Sequence, residues 1–148
     1  MWQQIALGSA LVSLTTLAHG LTTVAAMYGL THVHRFNRTH TGRSLVVSLL
    51  VVIMFLVSLL DAVLWAFAYV AVGAIPDLEA ALYFSVVTFT TLGYGDLTLD
   101  TDWRLLASFE AANGIIMFGW STAIVVAYIQ RVVPVVQSHP QRANNPPN

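Results

Sequence analysis

TTLGYGD, residues 90–96, lies between two long apolar stretches of the chain. Two glycines, a tyrosine and a carboxylate are poor choices for the middle of a membrane-crossing helix. The segment just before them, LEAALYFSVVTF (78–89), is apolar but about half the length needed to cross a bilayer. Pro76 and Asp77 open it as the start of a helix would be opened. A helix over 78–90 is therefore expected to enter the membrane and turn back. Irregular backbone at membrane depth is tolerated only where it is buried in protein or lines a watery cavity. Residues 91–96 must face one or the other.

Outward from this segment the chain reads as membrane protein throughout. Of 148 residues, 57% are hydrophobic and only 9% charged, too apolar for an ordinary soluble domain. A spanning helix needs about 20 predominantly apolar residues, and residues 44–72 and 104–133 each satisfy this. Residues 5–30 are less apolar, with hydroxyl residues, glycines and His19. Such a helix survives in lipid when its small and polar residues pack closely against neighbouring helices. The expected fold is an all-α membrane protein with three transmembrane helices, a re-entrant helix and an irregular loop. No cysteine is present, which excludes disulfides and thiolate chemistry. The first basic residue is Arg35, so no signal peptide is expected at the start.

Basic residues set the orientation. Arg35, Arg38 and Arg43 lie in the loop 31–43, and Arg131 and Arg142 near or after the end of the last helix; only Arg104 lies elsewhere. By the positive-inside rule these five mark the cytoplasmic side. Asp77, Glu79, Asp96, Asp100 and Asp102 then fall outside, as does the amino terminus. Trp2 and Trp103 sit where an outer aromatic belt would place them. Residues 134–148 form a short cytoplasmic tail, and the PN-rich end from Ser138 is expected to be disordered. The small size and lack of appended domains suggest a prokaryotic plasma membrane.

A half-length helix, a glycine-punctuated strand and a flanking helix on each side resemble the pore module of potassium channels. Thr91-Leu92-Gly93-Tyr94-Gly95 matches the potassium filter pattern TVGYG, with Leu in place of Val. The resemblance covers residues 44–133: outer helix 44–72, pore helix 78–90, filter 91–96 and inner helix 104–133. Residues 1–30 are an additional helix outside it. The resemblance implies K+ bound by the carbonyls of Thr91, Leu92, Gly93 and Tyr94 and by the Thr91 hydroxyl. Gly93 and Gly95 permit backbone conformations that a Cβ would penalise. Leu92 and Tyr94 would point away from the ions, into packing around the pore helix. Since one chain supplies one strand of a four-stranded ring, a homotetramer in the lipid bilayer is implied. Thr90 and Asp96 bracket the filter, and Tyr83 and Phe84 would form an aromatic cuff. Val87 stands where one bacterial branch carries a glutamate that bonds the aspartate after the filter. Gly114 takes the place of a bending glycine, with Ile115, Phe118 and Thr122 continuing one face as cavity wall; close packing through small residues is the other use of such a glycine. K+ is the only bound species expected, with no organic cofactor, nucleic acid or obligatory soluble partner.

Three polar residues inside the spans are unexplained by a filter: His19, Asp61 and Glu110. Glu110 is placed to bond hydroxyls of the re-entrant helix such as Thr88 or Ser85. His19 and Asp61 lie at similar depth on antiparallel helices and could pair. His32, His34 and His40 cluster with the loop arginines, either as a solvated basic loop or as a sensor of internal pH. No helix carries the regular arginines of a voltage sensor. Passive conduction of K+ is the leading expectation; a nonselective cation channel and an ion-translocating subunit of a larger potassium uptake complex are the alternatives. An enzyme is not expected, because the acidic residues and histidines are scattered without metal-ligand spacing or a nucleophile elbow.

Overall fold

In a computed structural model, the described residues are 1–32 and 40–132, and they form four helices without a strand. These are α1 (Trp2–His32), α2 (His40–Ala71), α3 (Leu78–Phe89) and α4 (Arg104–Val132). Three are long and apolar enough to cross a membrane, over Trp2–Gly29, His40–Ala71 and Arg104–Arg131. At about 1.5 Å per residue α3 reaches only about 18 Å, short of the roughly 30 Å hydrocarbon layer. Helix α2 begins at His40 rather than at residue 44, so Arg43 belongs to its first turn. His34, Arg35, Arg38, Pro134 and Arg142, with the tail from residue 133, lie outside the described residues.

The turn between α2 and α3 is built by Gly73. Its φ of 72° is left-handed, and the amide of Ala74 bonds back to the carbonyl of Tyr69 at 2.9 Å, a helix C-terminal turn that favours glycine. Asp77 then caps α3, accepting from the amide of Ala80 at 2.8 Å. The chain thus reverses within a few residues and lays α3 along α2. Their shared core holds Ala62, Trp65, Ala66, Tyr69, Ala81 and Phe84, closed on the far side by Leu106 and Met117 of α4. A second cluster of Val46, Leu50, Met54 and Tyr128 joins the opposite ends of α2 and α4.

Helix α1 lies mainly against α4 and hides its polar side there. Gln4, Gly8, Leu11, Thr15, His19 and Thr23 recur every three or four residues and are all buried, one stripe of a helix. Gln4 Oε1 accepts from the amide of Leu105 at 3.1 Å, satisfying one of the free amides at the start of α4. Gly8 lets the Phe109 ring approach so closely that a Cβ would stand 2.8 Å from it. Asn113 Nδ2 donates to Thr15 Oγ1 at 2.8 Å, and Trp120 Nε1 to Thr23 Oγ1 at 3.2 Å. The lower hydropathy of this helix therefore reflects an inward polar seam rather than exposure to water.

Candidate functional site

The loop after α3 is shaped by hydrogen bonds returning to the helix's last turn. Thr91 N donates to the Thr88 carbonyl at 2.9 Å, while Leu92 N and Gly93 N both reach the Val87 carbonyl, at 3.0 and 3.3 Å. The Thr90 hydroxyl donates to the Val86 carbonyl at 2.7 Å. With its amides turned back, the loop leaves its own carbonyls free: among the described residues none of the carbonyls of 91–95 accepts a hydrogen bond.

The backbone alternates in hand. Thr91, Gly93 and Gly95 have φ of 58°, 57° and 77°. In an ordinary strand successive carbonyls point to opposite sides; a positive φ at every second residue turns alternate peptides over and favours a row along one side. Glycine adopts this conformation freely. Thr91 does not, and a β-branched side chain there stores on the order of 1–3 kcal/mol of strain. All residues from 90 to 96 are exposed in the single chain. Leu92 and Tyr94 are 54% and 67% exposed, so this chain alone does not provide the packing expected around their side chains.

Asp96 ties the end of the loop to α3. Tyr83 Oη donates to Asp96 Oδ2 at 2.6 Å, and the amide of Leu97 to Oδ1 at 3.1 Å. The Tyr83 bond, chief among these influences, holds the Asp96 carboxyl below its ordinary value of 3.8. Tyr83 and Phe84 therefore do not form a single cuff within the chain. Phe84 is buried on the opposite side, edge-on to Tyr69 with centroids 5.2 Å apart. The bond from Tyr83 supplies what Val87 cannot, a donor from the short helix to the carboxylate after the loop. A crevice of about 360 Å³ opens between loop and α4, bordered by Tyr83, Gly93, Asp96, Arg104 and Ser108.

Behind α3, Glu110 of α4 is fully buried. Ser85, not Thr88, is the hydroxyl it meets on the short helix, through a very short hydrogen bond to Oε1. Tyr69 Oη donates to its Oε2 at 2.6 Å. One turn further along α4, Gly114 passes the end of α3 so closely that a Cβ would stand 1.9 Å from the Phe89 carbonyl oxygen. The bend expected at Gly114 would have to lift that residue off Phe89. Ile115, Phe118 and Thr122 share an exposed face of α4, and Phe118 meets Phe89 edge-on at 5.7 Å.

His19, Asp61 and Ser121 bring α1, α2 and α4 to one buried point. His19 Nδ1 lies 2.8 Å from Asp61 Oδ2 and Nε2 lies 3.1 Å from Ser121 Oγ. Sequence reasoning missed Tyr69 as a partner of Glu110 and Ser121 as a partner of His19. Tyr69 lies two helical turns beyond Asp61 on one face of α2, and that spacing is the signal that could have found it.

A family model described as ion channel matches residues 39–131, well over half of the chain and reaching from the residue before α2 to the last turn of α4. Helix α1 lies outside the match. No curated protein and no solved structure matches the chain significantly.

Proposed function

The chain belongs to the ion channel family, and from that premise we propose that it is a potassium-selective channel conducting K+ passively through a homotetrameric pore. The observation that carries this reading is the alternating backbone of residues 91–95. A K+ ion leaves water only if oxygens replace its hydration shell. Exposed carbonyls with no hydrogen-bond partner among the described residues, on a backbone that alternates in hand at Thr91, Gly93 and Gly95, supply such oxygens. The ion sites comprise the carbonyls of Thr91, Leu92, Gly93 and Tyr94 with the Thr91 hydroxyl. Four chains around an axis bring four strands into a ring, and also cover Leu92 and Tyr94.

Electrostatics favour a cation in the same place. The carboxyl end of α3, carrying about half a negative charge, sits where the filter begins, and four such ends would converge on one cavity. Asp96, with Asp100 and Asp102, makes the outer mouth negative and raises the local cation concentration. Ile115, Phe118 and Thr122 line the cavity below the filter. The distribution of arginines supports an amino terminus outside and a carboxyl terminus in the cytoplasm, and the small size supports a prokaryotic plasma membrane. The protein's task is dehydration and passage of an ion, with no covalent step.

The test is the reversal potential of purified protein in a planar bilayer with K+ on one side and Na+ on the other. A value near the potassium equilibrium potential is expected. A value near zero with clear current would replace the proposal with a nonselective cation channel. No current across voltage and pH would point instead to a subunit that needs a partner.

A further inference from the structure

Two oxygen-to-oxygen contacts meet at Glu110, and a third shares its partner Ser85. Tyr69 Oη lies 2.6 Å from Glu110 Oε2, Ser85 Oγ lies 2.6 Å from the Ala62 carbonyl, and the same Ser85 Oγ touches Glu110 Oε1 still more closely. Each contact at such distances needs a proton between its oxygens. A hydroxyl has one proton and a carbonyl has none. Tyr69 and Ser85 together bring two protons to three contacts, so the third must come from the carboxyl group. Because Ala62 can only accept, the Ser85 proton goes there, and Ser85 must then accept from Glu110 Oε1. The Tyr69 proton goes to the remaining oxygen, Oε2.

A second observation agrees. Glu110, Ser85 and Tyr69 are all fully buried, and the ion pair between His19 and Asp61 is the one found among the described residues. Among the described residues no cationic side chain pairs with Glu110. An ionised carboxylate buried without a counter-charge is far more costly than a neutral acid whose donor and acceptor are both satisfied.

From this proton count we infer that Glu110 is a neutral carboxylic acid at the back of the re-entrant helix, a positioning residue that donates to Ser85 and accepts from Tyr69. The neutral acid links three helices without placing an anion behind the filter. Through Ser85 it holds α3 against α2, and it does so one turn from Gly114, where α4 is pressed on the Phe89 carbonyl. In the proposed tetramer four such acids surround the axis. Were they ionised, they would add four buried negative charges to a site whose selectivity must come from carbonyl geometry. The inference rests on the proposed function only for this last consequence, since the proton count is independent of ion flow.

Infrared spectroscopy of the full-length protein in liposomes near neutral pH tests it. The wild type is expected to show a protonated carboxyl C=O stretching band that Glu110→Gln abolishes and Asp61→Asn leaves in place. Absence of the band from the wild type, or its persistence in Glu110→Gln, would overturn the inference. Tyr69→Phe decides the matter even if Glu110→Gln fails to fold: loss of the donor to Oε2 should move the band to higher frequency, and an unmoved band would count against the assignment. Gln reproduces the pattern of the neutral acid, with its amide donating to Ser85 and its carbonyl accepting from Tyr69. Glu110→Gln is thus expected to melt like the wild type and Glu110→Ala lower; a Gln variant as damaged as Ala would mean that the charge is required. A protein that passes no K+ would leave the spectrum unaltered, so failure of the functional proposal is distinguishable from failure of this one.

Discussion

At the scale of single residues, two positions carry backbone constraints of different kinds. Thr91 holds φ of 58°, a conformation unfavourable for a β-branched residue. The return bonds from the amides of 91–93 to the end of α3 maintain it, as backbone strain must be maintained by its surroundings. Gly114 is constrained by space: the nearest atom to an added Cβ is a backbone oxygen, not the movable end of a side chain. Gly114→Ala should therefore destabilise the protein by at least about 1–3 kcal/mol, as overpacking does. Gly119 has open space where its Cβ would go, and Gly119→Ala should change stability by less than about 0.5 kcal/mol in the separated protomer. Thermal unfolding of the two variants in detergent checks the contrast, and equal tolerance would refute the packing role of Gly114.

At the scale of elements, α3 is short because its cap and the loop after it leave only three turns, and its partners explain how it stays in place. Ser85 faces α2 and α4, Phe84 faces Tyr69, and Tyr83 faces the loop, so successive residues bind different neighbours. Helix α1 is bound differently, through a polar seam along the length of α4. The same face of α1 also reaches α2 through the buried pair His19 and Asp61, which Ser121 extends to α4. Removing one partner leaves a buried polar group without its bond, and such losses are large. His19→Ala and Asp61→Ala should each lower the melting temperature, while the double variant loses about 1–3 kcal/mol less than their sum. Additive losses would show that the two side chains do not act as a pair. The inward seam was hard to read beforehand because periodicity reports which residues share a face, but not whether that face meets lipid or another helix.

At the scale of the whole molecule, the single chain leaves backbone and side-chain groups uncovered. Its 90–96 loop is exposed, the carbonyls of 91–95 have no hydrogen-bond partner among the described residues, and large side chains at Leu92 and Tyr94 stand uncovered beside them. Backbone groups at membrane depth must be satisfied by protein, water or ions. Four copies around one axis meet that requirement, and light scattering in mild detergent should return the mass of four chains; a monomer or dimer that still conducts would rule out the proposed ring. The same exposure limits what one chain can explain. In the proposed tetramer, the crevice beside Tyr83 and Arg104 and the exposed face at Ile115, Phe118 and Thr122 would acquire their surroundings on assembly.

Length and polarity alone determined the three long apolar helices, the short one between them and the glycine-punctuated loop, because the cost of unpaired backbone in lipid admits few alternatives. The letters TLGYG likewise determined where left-handed backbone could occur at low cost, at Gly93 and Gly95. Pairing was another matter. That Tyr83 holds Asp96, that Tyr69 joins Ser85 on Glu110, and that Gly114 yields space to Phe89 depend on helix rotation and crossing. A sequence pattern specifies one helix at a time, whereas a hydrogen bond between helices requires two of them to be fixed in relation to each other, and only tertiary packing does that.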